Sequence, residues 1–185
     1  NFLSFGDLPS KGFWDPDSYR IPRGVILNRD LTTVHPIDLD ADNEIQEYVS
    51  HSWYTYSEGD AQGLHPFRGE TELNYTGPKP PYQHLDVEQK YSWLKSPRWK
   101  GHAMEVGPLA RVLMMVAKGD KQARELVDLT LKTLDVPVDA LFSTLGRTAA
   151  RTLESKILAD AMQGWFDQLM ANIKAGDVRT FNDRY

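Results

Sequence analysis

Hydrophobic positions after residue 100 recur at helical spacing. Pro108 suits the first turn of a helix, because its missing N–H would have no partner there, and the pattern predicts a helix that runs to about Lys118. Apolar side chains surround this helix, so we expect it to be buried on nearly all sides. Gly119 and Asp120 are typical of a helix end and a helix start. The apolar face of the helix that follows comprises Ala123, Leu126, Val127, Thr130, Leu131 and Leu134.

A long amphipathic helix is predicted over about residues 143–175, starting between Val138 and Gly146 and ending at Gly176. Apolar residues recur at every fourth position and others widen the stripe, which therefore needs a partner surface. We expect the isolated chain to aggregate through this stripe. The repeat consists of Ala149, Leu153, Ile157, Ala161, Trp165, Leu169 and Ile173, and the widening residues are Leu158, Met162, Phe166 and Met170.

The first half of the chain has patterns typical of short strands and ordered loops. Residues 24–28 and 31–34 are expected to form a hairpin around a turn at residues 28–30, with Pro36 ending the second strand. Acidic residues upstream of an apolar pattern favour a short helix over about residues 42–50.

Residues 53–99 carry Tyr, Trp, Pro and Gly without a period, so packing of their aromatic side chains has to hold them in place. Together these patterns predict an α+β fold that is predominantly α. Its irregular, hairpin-rich half ends at residue 100, and its helical half covers residues 101–185. Because three helices cover only part of the long stripe, we expect residues 1–185 to be one segment of a larger domain.

Composition excludes several classes of protein. The 185 residues are 41% hydrophobic and 25% charged, which suits a folded domain. The net charge is −5 and the basic residues form no block, so we expect no nucleic-acid partner. The longest apolar run, residues 112–117, is too short to span a bilayer. The start lacks a signal-peptide pattern and an initiator Met, which is compatible with processing and also with a chain that begins within a longer protein.

No cysteine is present, which excludes disulfides, thiolate metal sites and cysteine nucleophiles. The histidines lack the spacing of a zinc pair, and we expect His35 and His65 to be hydrogen-bonded structural residues. Asp38, Asp40 and Asp42 imitate the start of a calcium loop. However, the sixth position is not glycine and the twelfth is not glutamate, so a helix N-terminus explains them more simply.

Two groups of charged residues lie near the starts of predicted helices. Glu105 lies just before the helix that contains Arg111, and buried Glu and Arg side chains need partners. Arg147, Arg151 and Glu154 lie on neighbouring turns of the long helix. A buried ion-pair or capping network and a solvated helix face are both compatible with this spacing. We assign no catalytic, cofactor-binding or metal-binding role to any residue of the chain.

One segment carries a specific resemblance. MEVGPLAR at residues 104–111, preceded by YSW at 91–93 and SPRW at 96–99, resembles the large subunit of nickel–iron hydrogenases. Supporting runs occur in the family's order across essentially the whole chain, and the likeness is nearest to the membrane-associated uptake branch. These runs are NFLSFG at residues 1–6, HSWY at 51–54, GLHP at 63–66 and LFSTLGRTAAR at 141–151.

The resemblance implies a parent enzyme that reversibly oxidises dihydrogen to protons and electrons at a nickel–iron centre, with carbon monoxide and cyanide on the iron. It implies a small-subunit partner with iron–sulfur clusters, and a periplasmic or membrane-associated location in a bacterium. In the family, four cysteines in two CxxC-type motifs near the ends of the subunit hold the metals. Neither motif is present here, so no ligand can be transferred to this sequence. The chain is expected to be a central, supporting segment that binds none of these groups alone.

Two other functions remain open at this point. The chain is alternatively a metal-free, non-enzymatic module of the same fold that binds a partner or a quinone-like ligand. A weaker hypothesis is a carbohydrate-binding module that uses the aromatic residues of the loops, although such residues more often pack loops together.

Overall fold

The computed structural model describes residues 1–10, 15, 18–79 and 83–179, which fall into two compact units, Asn1–Gly119 and Asp120–Tyr185. Within the described residues, short strands and one helix make up the first unit, and helices make up the second. The strand-rich first part and helical last part that the patterns predicted are therefore confirmed. The strands are β1 (Phe2–Ser4), β2 (Asp7–Pro9), β3 (Tyr19–Ile21), β4 (Gly24–Ile26), β5 (Ile45–Tyr48), β6 (Tyr54–Tyr56), β7 (Gly63–Leu64), β8 (Thr71–Leu73), β9 (Ser96–Trp99) and β10 (His102–Ala103).

The main sheet of the first unit is antiparallel, with the strand order β10-β9-β5-β7. Strands β9 and β10 are joined by Lys100 and Gly101, which both have positive φ, at 46° and 80°. This two-residue turn matches the twist of the strands it connects. Among the described residues, three antiparallel pairs, β1–β4, β2–β3 and β6–β8, lie outside this sheet.

Strand β5 contradicts the helix predicted over residues 42–50. Its four residues pair along β9, from Ile45 opposite Trp99 to Tyr48 opposite Ser96. The acidic residues before it do not start a helix but form turns: the Asp38 carboxylate accepts from the Asp40 N–H at 2.9 Å. Tertiary pairing has overridden the local helix-start pattern, as it often does for short segments.

The predicted hairpin is wrong in its second strand. The turn is present, because Asn28 and Arg29 both have positive φ and the Asp30 N–H donates to Leu27 O at 2.9 Å. After the turn, the Asp30 carboxylate accepts from the backbone and hydroxyl of Thr32, which bends the chain away from β4. The chain returns to β4 only at His35, and the strand that pairs along β4 is β1.

The core of the first unit lies between β1, β4, β5 and β9. Helix α1 (Pro108–Ala117) contacts β1, β3 and β4, and its predicted burial on nearly all sides is confirmed. It follows Gly107 and is followed by Gly119, both with positive φ. The buried residues of α1 are Leu109, Ala110, Val112, Leu113, Met114 and Met115; the strand core contains Leu3, Val25, Leu39, Ile45, Trp99 and Met104.

The second unit begins with helix α2 (Lys121–Leu134), where the Asp120 carboxylate accepts from the Ala123 N–H at 2.8 Å. A short 3₁₀-helix (Val138–Phe142) leads into helix α3 (Thr144–Lys174). Helix α3 packs against both preceding elements through its first half, where Gly146, Ala150, Leu153, Glu154 and Ile157 are buried. Among the described residues, no helix is long and apolar enough to cross a membrane.

Candidate functional site

A buried carboxylate joins the loop before β5 to the end of β9. Glu44 is only 5% exposed, and its Oε1 accepts from Trp99 Nε1 at 3.0 Å and lies 3.1 Å from Lys100 Nζ. Its Oε2 accepts from the Asp38 N–H at 2.9 Å. Through these contacts, both carboxylate oxygens of Glu44 hold the loop to the sheet. An open cavity beside it is lined by His35, Pro36, Ile37, Asp38, Glu44, Trp99 and Lys100.

A second polar network is built around Lys90. Its Nζ donates to Tyr54 O at 2.7 Å, to Val49 O at 2.9 Å and to Asp60 Oδ2 at 2.6 Å. The Asp60 Oδ1 accepts from the Thr55 hydroxyl at 2.7 Å. All three ammonium donors of Lys90 are therefore used, and they connect the loop at residue 90 to β6 and to the residues on both sides of it, Val49 and Asp60.

Replacing Lys90 with methionine will weaken this connection by about 3 kcal/mol, because it breaks a largely buried charged pair and removes the ammonium donor to the Tyr54 and Val49 carbonyls. The measurement is hydrogen exchange at the amides of residues 54–56 in the full-length subunit. Lys121→Met is the control, since Lys121 is 88% exposed and should change stability by less than about 0.5 kcal/mol. Equal effects in the two variants would contradict this assignment.

The same network predicts a pH dependence. Burial raises the pKa of Asp60, but hydrogen bonds from Lys90, Thr55 and the Tyr56 N–H outweigh burial and hold the pKa below 3.8. A carboxylate with a lowered folded-state pKa contributes stability above its unfolded pKa, and this contribution is lost as the pH falls through the folded value. Opening of residues 54–56 should therefore increase below about pH 4 in the native protein, and less steeply in Lys90→Met.

Aromatic side chains pack the loops between β6 and β9, as the sequence predicted. Trp53 contacts Tyr75 and Trp93 edge-on, with ring centroids 4.9 and 5.1 Å apart, and Trp93 stacks on Tyr75 at 5.6 Å. The Trp53 Nε1–H donates to Lys90 O at 2.9 Å. Trp93 and Tyr75 each use one ring face in this stack, which favours the loop-packing interpretation.

His65 is a buried histidine whose Nδ1 accepts from the Phe67 N–H at 3.2 Å. With Nδ1 acting as the acceptor, the ring proton lies on Nε2. Among the described residues, this Nε2 is a buried side-chain atom that has no hydrogen-bond partner. The prediction that His65 is hydrogen-bonded is thus confirmed for its Nδ1 atom. His35 is half-buried against Trp99, with ring centroids 5.7 Å apart.

The charged residues singled out from the sequence lie in both units. Glu105 is half-buried and fixes β1 through its backbone, accepting from the Leu3 N–H at 2.9 Å and donating to Asn1 O at 3.0 Å. Arg111 is half-buried in α1. Arg147 is exposed and donates to Phe142 O at 2.7 Å, which caps the 3₁₀-helix. Arg151 is exposed and Glu154 is buried on the first half of α3.

Sequence reasoning missed Glu44, Lys90 and Asp60 as network residues. A buried Trp N–H needs an acceptor, so Trp99 was the one signal that could have pointed to Glu44. No comparable pattern marked Lys90, since its three acceptors lie 30 to 41 residues away along the chain.

The residues of this chain do not fit a nickel–iron centre. Such a centre favours soft thiolate ligands, and the chain contains no cysteine. In the part of the chain that the structure describes, no group of three or more histidine, aspartate and glutamate residues is arranged to hold a metal.

Comparisons with known proteins agree on one family. The family model for nickel-dependent hydrogenases matches residues 1–185. The uptake hydrogenase large subunit of Bradyrhizobium diazoefficiens is 48% identical over 97% of this chain and 31% of its own length. That of Rhizobium leguminosarum bv. viciae is 46% identical over 100% of this chain and 32% of its own. The chain thus belongs to the nickel-dependent hydrogenase family and spans 31–32% of the length of these two relatives.

Solved structures support the same relationship. The Ni-Fe-Se hydrogenase of Desulfomicrobium baculatum aligns with a TM-score of 0.54 and 27% identity, covering 90% of this chain and 31% of that one. A variant of the [NiFeSe] hydrogenase of Desulfovibrio vulgaris Hildenborough aligns with a TM-score of 0.58 and 26% identity, covering 90% of this chain and 31% of that one. The fold of the chain is therefore that of part of a hydrogenase subunit.

Proposed function

We propose that this chain is a central stretch of a hydrogenase large subunit whose complete enzyme reversibly oxidises dihydrogen to protons and electrons. The observation that carries this proposal is the family match over residues 1–185, together with 48% identity to an uptake hydrogenase large subunit. Within that enzyme, the role of this stretch is to support the fold. Networks centred on Glu44 and Lys90 fix its loops, and it contributes no cysteine.

The proposal extends to the cofactor and partners of the complete enzyme. Its nickel–iron centre, with carbon monoxide and cyanide on the iron, takes its ligands from outside this chain. A small subunit with iron–sulfur clusters completes a heterodimer, which is an uptake enzyme in the periplasm or at the membrane. The names of the two uptake relatives support the assignment as an uptake enzyme. We also propose that α3 serves as an amphipathic packing element of the subunit.

The test is a measurement on the purified full-length protein that contains this stretch. We expect nickel by elemental analysis and hydrogen-dependent reduction of a viologen dye. The same protein produced without nickel is the control and should reduce no dye. Activity lost in the nickel-free preparation and present in the nickel-replete one assigns the reaction to the metal centre.

The alternative is a metal-free module of the same fold that binds a partner. The absence of cysteine from these 185 residues is the observation that favours it. A full-length protein that lacks both CxxC-type motifs, contains no nickel and reduces no dye would establish this alternative and contradict the hydrogenase proposal.

A further inference from the structure

Helix α3 has two apolar faces that point in different directions. The buried residues of its first half are Gly146, Ala150, Leu153, Glu154 and Ile157, and they pack against α2 and the 3₁₀-helix. The apolar residues of its second half are exposed, and they are Met162, Trp165, Phe166, Leu169, Met170 and Ile173. At about 100° per residue, the mean directions of the two sets differ by about 145° around the helix axis.

This geometry corrects the single stripe that the sequence suggested. A repeat of four residues turns about 400°, so an apolar stripe at that spacing drifts about 40° around the helix at each step. Over the six steps from Ala149 to Ile173, the drift carries the stripe from one side of α3 to the other. The second half of α3 is thus an amphipathic segment of its own.

The exposed apolar side chains of the second half form one continuous face. Met162, Phe166 and Leu169 are 63%, 57% and 53% exposed, and the six apolar residues fall within an arc of about 140°. The opposite side of the same segment is polar, and its side chains hydrogen-bond to one another. Gln163 donates to Asp167 at 2.9 Å, and Gln168 donates to Asn172 at 2.7 Å. A cluster of exposed apolar side chains confined to one side of a helix is typical of an interaction surface.

We propose that this face is covered by a helical segment of the same large-subunit polypeptide that lies outside the 185 residues. The inference rests on the proposed function. The related large subunits are about three times as long as this chain, which covers 31% of one and 32% of the other. A subunit of that length contains further polypeptide that can supply the covering segment. The arc contains no charged residue, so the covering segment presents apolar side chains to it.

A second copy of this chain is a less suitable occupant. The face covers twelve residues, from Met162 to Ile173, which is less than two heptads. The sequence pattern of a self-associating coiled coil extends over at least about three heptads, and this face is shorter. A short face becomes sufficient when its partner belongs to the same polypeptide, because the covalent link supplies a high effective concentration.

The experiment uses the full-length large subunit assembled with its small subunit. The photo-cross-linker p-benzoylphenylalanine replaces Phe166 on the apolar face or, as the matched control, Gln168 on the polar face. We expect a cross-link from position 166 to a peptide of the same polypeptide outside this stretch, and none from position 168. A cross-link from 166 to the small subunit or to a second copy, or no cross-link at all, would overturn the inference.

Hydroxyl-radical footprinting of the unmodified enzyme keeps the test independent of any substitution. Met162 and Trp165 should be protected from oxidation in the full-length large subunit, with or without the small subunit. Dye reduction is measured on the same samples. Protection of both side chains in a protein that takes up no nickel when nickel is supplied, and that reduces no dye, would contradict the proposed function and leave this inference intact. Rapid oxidation of both side chains in an active enzyme would overturn this inference alone.

Discussion

Replacing Gly146 with alanine will destabilise the second unit by about 3 kcal/mol, near the upper end of the cost of overpacking. A Cβ at this position would lie closer than 3.0 Å to the carbonyl oxygens of Ala140 and Leu141. These are backbone atoms of the 3₁₀-helix and cannot rotate away as a side chain would. The start of α3 would have to move, and with it the cap in which Ser143 Oγ accepts from the Gly146 N–H.

Gly164→Ala is the matched control, because Gly164 lies in the same helix and an added Cβ would meet nothing within 4 Å. Alanine favours a helix interior over glycine by about 1 kcal/mol, so this variant should stabilise α3. Hydrogen exchange of α3 amides in the full-length subunit measures both effects. Opposite signs are expected, and a stabilising effect of Gly146→Ala would refute the close approach at the helix start.

Replacing Glu44 with alanine will destabilise the first unit by about 3 kcal/mol. The substitution removes the acceptor of the buried Trp99 N–H and of the Asp38 N–H, and it leaves a cavity beneath the loop. Lys100 contributes less to the loss, since its side chain is 57% exposed and stays hydrated. The free energy of opening β9, measured by hydrogen exchange at Trp99 in the full-length subunit, reports the effect.

Glu72→Ala provides the comparison for Glu44→Ala. Glu72 is an exposed residue of β8, and such substitutions usually change stability by less than about 0.5 kcal/mol. If β9 opened equally easily in both variants, the Glu44 carboxylate would not be what fixes the loop to the sheet. Glu44→Gln separates charge from hydrogen bonding, because it keeps one acceptor for Trp99 while it removes the attraction to Lys100.

Local patterns predicted the helices of this chain better than its strands. Pro108, Gly119 and Asp120 mark helix ends through their own backbone chemistry, and α1 and α2 begin within a residue or two of the predicted positions. Residues 45–48 have an equally local helix-start pattern, yet they form β5 because β9, about fifty residues later, offers a strand to pair with. A local pattern does not contain the distant strand that outweighs it.

The polar networks could not be predicted for a related reason. Glu44 and Lys90 are ordinary charged residues in the sequence, and only the fold removes their side chains from solvent. The recognition of the family succeeded because it depended on runs such as residues 104–111, whose order along the chain is visible without any structure. For α3, the sequence predicted the helix. The direction in which the apolar face of each half points became clear only from the buried residues of the structure.

The pairing of β1 has a consequence for synthesis of the protein. Asn1 and Leu3 bond to residues 103 and 105, and Asn1 donates to Ala103 O across 102 positions of sequence. Ribosomes add about 5–20 residues per second. The residues near position 103 that pair with β1 are therefore made at least about 5 s after β1 itself. During that interval Phe2 and Leu3, buried in the folded unit, are accessible to chaperones on the nascent chain.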